Sequence, residues 1–309
     1  MLNIALIIVG FILLLKGGDY LVDGSVAIAQ RAKLSKMVIG LTVIGFGTSM
    51  PELLVSSQAA LDGSPGIAIG NVVGSNIANI ALILGATSLI SPLPTKRSIL
   101  LVDTPFMILA CFILIGIGLT NYIGRISGFV MFSILVAFVW WQIVKSRKVI
   151  KAAEEQEEPS MPLWKALLTV MISFVALVIG ARLLVKGGSN IALQLGVSER
   201  IIGLTIVAVG TSLPELFASV MAARKGESDM AIGNIVGSVS FNNLSVIGVA
   251  SMICPIADSA VGFMFDYVGM GLLCILLWIF LRTRFLLERW EGMILLLIYI
   301  AYIARTVVS

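Results

Sequence analysis

Shifting the chain by 163 residues lays Leu41–Gly85 on Leu204–Gly248 without a gap, with 21 identities in 45 positions. Chance does not give that agreement, so any fold must be built from two copies of one unit. The same shift carries Asp103 onto Asp266, Met107 onto Met270 and Cys111 onto Cys274, which extends the repeat over most of each half. At the heart of each copy stands a polar hexapeptide, Gly47-Thr48-Ser49-Met50-Pro51-Glu52 and Gly210-Thr211-Ser212-Leu213-Pro214-Glu215, inside an otherwise apolar run.

The surroundings of these hexapeptides set the solvent. Mean hydropathy is +1.06, and only 12% of residues are charged, about half the roughly 25% of soluble domains. Apolar stretches of about twenty residues suit helices crossing a bilayer core of about 30 Å, and the alternating ten-residue segments of a barrel are absent. The expected fold is therefore an all-α integral membrane protein with ten transmembrane helices, near 2–30, 37–61, 66–90, 98–119, 125–145, 162–190, 199–223, 229–254, 260–282 and 290–306. The first starts at Leu2 without a basic n-region or a small-residue cleavage site, so it reads as a retained helix.

Residues 146–161 form the one long connection, with Arg147, Lys148 and Lys151, then Glu154, Glu155, Glu157 and Glu158, closed by Pro159 and Pro162. That composition is a solvated linker. It divides a first five-helix repeat, 1–145, from a second, 162–309. Five is odd, so the second repeat must enter the membrane from the opposite side. Inverted repeats of this kind are the plan of many secondary transporters, whose sites lie near the midplane where the repeats meet.

Charge orients the plan. With ten spans, Arg31, Lys33, Lys36, Lys96, Arg97, Lys145, Arg147, Lys148, Lys151, Lys165, Arg224, Lys225, Arg282, Arg284 and Arg289 share the face of the linker. Arg125, Arg200 and Arg305 lie opposite, while Lys16, Arg182 and Lys186 fall within spans. By the positive-inside rule the linker is cytoplasmic and both termini are outside, in a plasma (inner) membrane. The net charge of +4 thus encodes topology and does not call for nucleic acid; the expected partners are a lipid bilayer and the transported ions.

The hexapeptides carry the chemistry. A carboxylate inside a membrane helix costs several kcal/mol, which makes Glu52 and Glu215 site candidates. Proline at 51 has no N–H for the carbonyl of Gly47, so the helix should kink and free backbone oxygens, tolerable only where they are buried in protein or line a polar cavity. Thr48, Glu52 and Ser56 follow at four-residue spacing with Ser49 beside them, and Thr211, Ser212, Glu215 and Ser219 repeat the set. The next span adds Asn71, Ser75 and Asn79, repeated as Asn234, Ser238 and Asn242. These are hard oxygen donors. They suit Ca²⁺, which takes about 6–8 oxygens, or Na⁺, and two glutamates balance one divalent or two monovalent ions.

Other polar residues have plainer roles. Gly70, Gly74, Gly233 and Gly237 are assigned to helix packing, and Asp103 and Asp266 to caps near span starts. Asp19 and Asp23, where the repeat has Arg182 and Lys186, line a mouth or pair locally. Cys111, Cys254 and Cys274 stand singly as packing residues, and no histidine exists to bind a transition metal. No cofactor is expected.

The paired Gly-Thr-Ser-x-Pro-Glu followed by Gly-Asn-x-x-Gly-Ser resembles the two α-repeats of the sodium/calcium exchanger family, within the Ca²⁺/cation antiporter superfamily, over nearly the whole chain. The resemblance implies ten helices, with the second, third, seventh and eighth around the ions and the first and sixth sliding across them. It implies Glu52 and Glu215 as central ligands, backbone carbonyls from Thr48 and Thr211, flanking sodium sites completed by Ser49, Ser75, Ser212 and Ser238, and Asn79 and Asn242 in the remaining central positions. Two departures stand out. Some relatives carry an aspartate where this chain has Asn242, and Val239-Ser240-Phe241 replaces the Asn-Ile-Ala that follows Ser75.

The resulting expectation is a secondary antiporter exchanging Na⁺ for Ca²⁺ by alternating access, with relatives coupled to H⁺ or K⁺ as the alternative. A cation channel would build its filter around an axis of several subunits, and an intramembrane hydrolase needs a nucleophile with a base or a metal; neither pattern is present. The topology is directly testable. A cysteine introduced as Glu155→Cys should react with an impermeant reagent only from the cytoplasmic side, and labelling of intact cells from outside would reverse the orientation.

Overall fold

The computed structural model describes residues 2–152, 161–197, 202, 206, 208–257 and 262–308. The described chain is helical apart from four two-residue strands. In order the helices are α1 (Leu2–Ala32), α2 (Lys36–Thr48), α3 (Met50–Leu61), α4 (Pro65–Ile90), α5 (Ile99–Gly118) and α6 (Arg125–Ala152). The second half gives α7 (Leu163–Gln194), α8 (Ala208–Thr211), α9 (Leu213–Arg224), α10 (Ser228–Ile253), α11 (Met264–Arg284) and α12 (Arg289–Val308).

Among the described residues seven helices are long and apolar enough to cross a membrane, or eight if the bent pair α2 and α3 counts as one span. Of the other two expected spans, one is α12, 20 residues long, and the other, 199–223, lies partly outside the described residues. The linker expected over 146–161 begins later than its charge suggests. Helix α6 continues through Arg147 and Lys148 to Ala152, because Lys, Arg, Ile and Ala all tolerate helix and no breaker intervenes before Pro159. The acidic run 154–158 lies outside the described residues.

Burial divides the helices into centre and periphery. Within the spans, 89% of residues are buried in α10 and 72% in α4, against 22% in α6 and 28% in α1 and α7. The polar helices therefore sit inside, and the uniformly apolar ones turn Ile8, Ile12, Trp140 and Ile172 outward, as a lipid solvent requires.

Helices α1 and α7 cross each other in opposite directions. Asn190 Nδ2 donates to Asn3 Oδ1 at 3.1 Å, and further along Gly24 meets Ala166 and Val170. At the crossing a Cβ on Gly10 would stand 2.7 Å from the Gly180 carbonyl, and one on Gly180 would stand 2.8 Å from that of Gly10. Only paired glycines allow this approach of backbones, the device that replaces hydrophobic drive between membrane helices. By contrast α2 runs alongside α10 in the same direction, Gly233 against Met37 and Gly237 against Leu41. The packing role expected of Gly233 and Gly237 is thus visible; the residues that would face Gly70 and Gly74 by the same shift, 200 and 204, lie outside the described ones.

Two antiparallel strand pairs tie the loops together. Here β1 (Leu93–Pro94) pairs with β4 (Leu286–Leu287), and β2 (Tyr122–Ile123) with β3 (Ile256–Ala257), each joining one half to the other. At one end of the bundle Lys36 pairs with Glu227 at 2.7 Å, Lys96 with Asp229 at 2.5 Å, and Lys225 with Asp19 and Asp23 at 2.8 and 2.7 Å. The two aspartates are engaged locally at this end. A cavity of about 600 Å³ there is lined by Lys33, Lys36, Lys96, Asp103, Gln142 and Lys145, and none of the expected ion ligands lines it.

The cap assignments of the two repeated aspartates do not hold. Asp103 lies a turn inside α5 with helical backbone, φ −74 and ψ −46, caps nothing, and is buried as the acceptor of Gln142 Nε2. Asp266 lies in the first turn of α11, whose N-cap is Phe263. Burial against α6 decided the first case, a tertiary contact that spacing along the chain does not reveal.

The α1/α7 crossing makes a clear stability test. Gly180→Leu should destabilise the detergent-solubilised protein by roughly 1–3 kcal/mol through overpacking, read as a lowered melting temperature, whereas Gly116→Leu, with nothing within 4 Å of its Cβ position, should not. Equal melting temperatures for the two variants would mean that the crossing is not a tight contact.

Candidate ion-binding site

The kink expected at Pro51 is present. Helices α2 and α3 break at Ser49 with a bend of 44°, and Ser49 leaves the helical region at φ −81, ψ 1. The second hexapeptide repeats the geometry, with Ser212 at φ −90, ψ 4 between α8 and α9. Each proline lies in the first turn of the helix it opens, where its missing N–H is harmless to that helix and denies a donor to the one before. Glu52 and Glu215 follow directly, in the first turns of α3 and α9. There the positive ends of the helix dipoles favour an anion.

Each kink is braced by an asparagine from the next span. Asn71 Nδ2 donates to the Glu52 carbonyl at 3.2 Å and to Ser56 Oγ at 2.9 Å. Asn234 Nδ2 makes the same bonds to Glu215 at 3.3 Å and Ser219 at 2.9 Å. These residues and the two serines are occupied as scaffold.

The acids meet across the two halves. Glu215 faces the Glu52 carboxylate and the Thr48 side chain, and Glu52 faces Thr211 and Ser75. Both acids are fully buried, and among the described residues neither has an ion-pair partner or a hydrogen bond of ordinary geometry to its carboxylate oxygens. Two like charges in a low-dielectric interior repel strongly unless a cation stands between them or one takes up a proton.

The remaining expected ligands fall into two groups. Ser49 Oγ, Ser212 Oγ, Asn79 Oδ1 and Asn242 Oδ1 are buried without a protein partner, as are the four oxygens of the glutamates, eight oxygens in all. Thr48, Ser238 and Gly45 instead bond one another. Thr48 Oγ1 lies 3.1 Å from the Ile44 carbonyl, 3.2 Å from Asn234 Oδ1 and 3.4 Å from Ser238 Oγ, and Ser238 Oγ donates to the Gly45 carbonyl at 3.4 Å. The Thr48 hydroxyl is thereby used within the protein. Asn79 and Asn242 stand in widened π turns, Ala78–Leu84 and Asn242–Val246, which pack against α9 and α3 respectively. Single π turns inside α helices often mark functional positions.

This donor set fits a hard cation. It is all oxygen and it carries two negative charges, the chemistry that Ca²⁺ and Na⁺ prefer. Among the described residues no group of three or more acidic, cysteine or histidine side chains could hold a metal, so two acids and neutral oxygens must serve.

Three residues escaped the sequence reading of the site. Asn76 and Asn243 are fully buried and bond each other across the halves, Asn76 Nδ2 to Asn243 Oδ1 at 2.7 Å. An asparagine pair in an apolar span was a visible signal, but its partner across the fold was not. Phe174 of α7 lies on the first hexapeptide so closely that a Cβ on Gly47 would fall 2.0 Å from its ring. Its repeat mate Phe11 instead meets Phe217 edge-on, ring centres 5.7 Å apart.

With this geometry in hand the relatives are informative. The sodium/calcium exchanger protein family matches residues 2–144 and 165–308. The sodium/calcium exchanger MaX1 of Methanosarcina acetivorans is 30% identical over 97% of this chain and 97% of its own. The inner membrane protein YrbG of Escherichia coli is 32% identical over 89% of this chain and 87% of its own. Among solved structures, the sodium-calcium exchanger NCX_Mj, soaked with zero Na⁺ and Ca²⁺ in a study of extracellular ion exchange and binding-site occlusion, superposes with a TM-score of 0.84 at 34% identity, covering 98% of both chains. A match along both halves, joined to the buried acids at paired helix breaks, leaves one conclusion: the chain belongs to the sodium/calcium exchanger family.

Proposed function

We propose that this chain is a secondary active antiporter that exchanges Na⁺ for Ca²⁺ across an inner membrane by alternating access. The observation that carries it is the pair Glu52 and Glu215, fully buried near each other with no ion-pair partner among the described residues. One Ca²⁺ neutralises the pair, and so do two Na⁺, which lets the ions compete for one site. Glu52, Glu215, Asn79 and Asn242 are the central ligands in this reading. Ser49, Ser75, Ser212 and Ser238 complete flanking sodium sites, and Thr48 and Thr211 offer backbone carbonyls at the breaks.

Ten spans in two inverted repeats, 1–145 and 162–309 about the linker 146–161, complete the proposal. Supporting inversion, α1 runs antiparallel to its repeat mate α7, and β1 and β3, mates under the 163-residue shift, pair with β4 and β2 in the opposite half. Supporting a cytoplasmic linker, Lys36, Lys96 and Lys225 gather at one end of the bundle. Both termini then lie outside. Access alternates as α1 and α7 slide over the central helices on their glycine-lined crossing, with Phe174 on one hexapeptide and Phe11 withdrawn from the other in this state.

Two measurements test the reading. In proteoliposomes, Ca²⁺ uptake should require Na⁺ inside and respond to membrane potential if more than two Na⁺ replace one Ca²⁺; uptake driven equally by a pH gradient without Na⁺ favours proton coupling instead. Glu52→Gln and Glu215→Gln each keep an oxygen but remove half the balancing charge, and each should lower Ca²⁺ uptake about a hundredfold or more. Asp103→Asn, paired with Gln142 away from the acids, should retain most of it. Normal exchange in both glutamine variants would move the site elsewhere.

A further inference from the structure

Asn242 can serve a cation only if its amide faces the right way, since one end of the group is an acceptor and the other a donor that repels positive charge. We propose that Met270 and Asn76 form a relay that sets this orientation and holds the Asn242 carbonyl oxygen towards the ion; the proposal rests on the ion-site reading of Glu52 and Glu215.

The relay is directional from its far end. Asn76 Nδ2 lies 3.4 Å from Met270 Sδ and 2.7 Å from Asn243 Oδ1. A thioether can only accept, so the amide nitrogen of Asn76 is the end that must face Met270. Its Oδ1 is then turned the other way, where it accepts from Asn242 Nδ2 at 3.1 Å. With its nitrogen turned to Asn76, Asn242 presents Oδ1 at its other end, and that oxygen is buried without a hydrogen-bond partner. The π turn that Asn242 opens packs against α3, the helix of Glu52. Three buried side chains thus pass the polarity of one sulfur to the ion site.

The arrangement is one-sided. Under the 163-residue shift Met107 corresponds to Met270, but Val239 stands where the first half has Asn76, and Ile80 where the second has Asn243. Valine at the mate of position 76 is accommodated in the same helical setting, fully buried. Only the Asn242 side of the centre can be oriented in this way, so Asn79 and Asn242, equivalent in sequence, are unequal as ligands.

Asn76 and Met270 are positioning residues, and a packing role must be separated from an orienting one. Met270→Leu conserves volume and removes only the acceptor; Asn76→Val copies the other half. Each is made in the unmodified chain and in Asn242→Asp, whose two oxygens are equivalent and have no wrong end. The readout is the Ca²⁺ dissociation constant of the purified full-length protein, from equilibrium binding of radioactive Ca²⁺, with the melting temperature beside it. Either substitution should raise the dissociation constant roughly tenfold with asparagine at 242, and less than about twofold with aspartate there. An unchanged constant in the asparagine background, or the same factor in both backgrounds, overturns the relay. Because affinity and not exchange is scored, Na⁺-independent uptake by the unmodified chain would defeat the exchange reading alone, whereas failure of the unmodified chain to bind Ca²⁺ would defeat both.

Discussion

Two carboxylates face each other inside a membrane protein with no basic residue within two helical turns of either, and most of the architecture follows from keeping them there. Neither acid can stay charged in such a place without several kcal/mol of compensation. The protein supplies part of it as structure, since each acid lies in the first turn of a helix, where the dipole is favourable. In the proposed reading a cation supplies the rest, and a site satisfied by its own side chains would have no reason to bind an ion and none to release it.

The kinks are useful only if rigid, and the amides of Asn71 and Asn234 make them so. Each ties the carbonyl of its acid to a serine one turn on, with distances that agree within 0.1 Å between the halves. Identical bracing in both copies means that the two acids are held by the same local chemistry. Differences between the halves must then come from the outer helices and from the few positions where the repeats diverge.

Such differences are concentrated in two places. On the outside, Phe174 presses on Gly47 while Phe11 rests on Phe217. Two nearly equivalent helices thus sit differently over two nearly equivalent breaks. Glycines at the α1/α7 crossing let the two backbones approach closely, with Leu14 packed against Gly180 and Leu177 against Gly17. On the inside, the asymmetry lies in Asn76 and Asn243, which bond each other and have no counterparts in the other half.

The internal repeat, the kinks at Pro51 and Pro214 and the paired acids could all be read from the chain, because each depends on chemistry within a few residues or on comparison of the chain with itself. Residue type alone also showed that Ser49, Ser212, Asn79 and Asn242 bring neutral oxygens to the spans of the acids and to the spans that follow them, and those oxygens are buried without a hydrogen-bond partner. What the chain could not disclose were contacts between segments far apart. Asp103 looked like a cap until Gln142 was found against it, the linker's basic start proved to be helix, and Thr48 turned out to spend its hydroxyl on its own helix and on Asn234. Likewise the sequence shows Val239 where the first half has Asn76, but only the tertiary structure places Asn76 between Asn242 and the sulfur of Met270, 194 residues away.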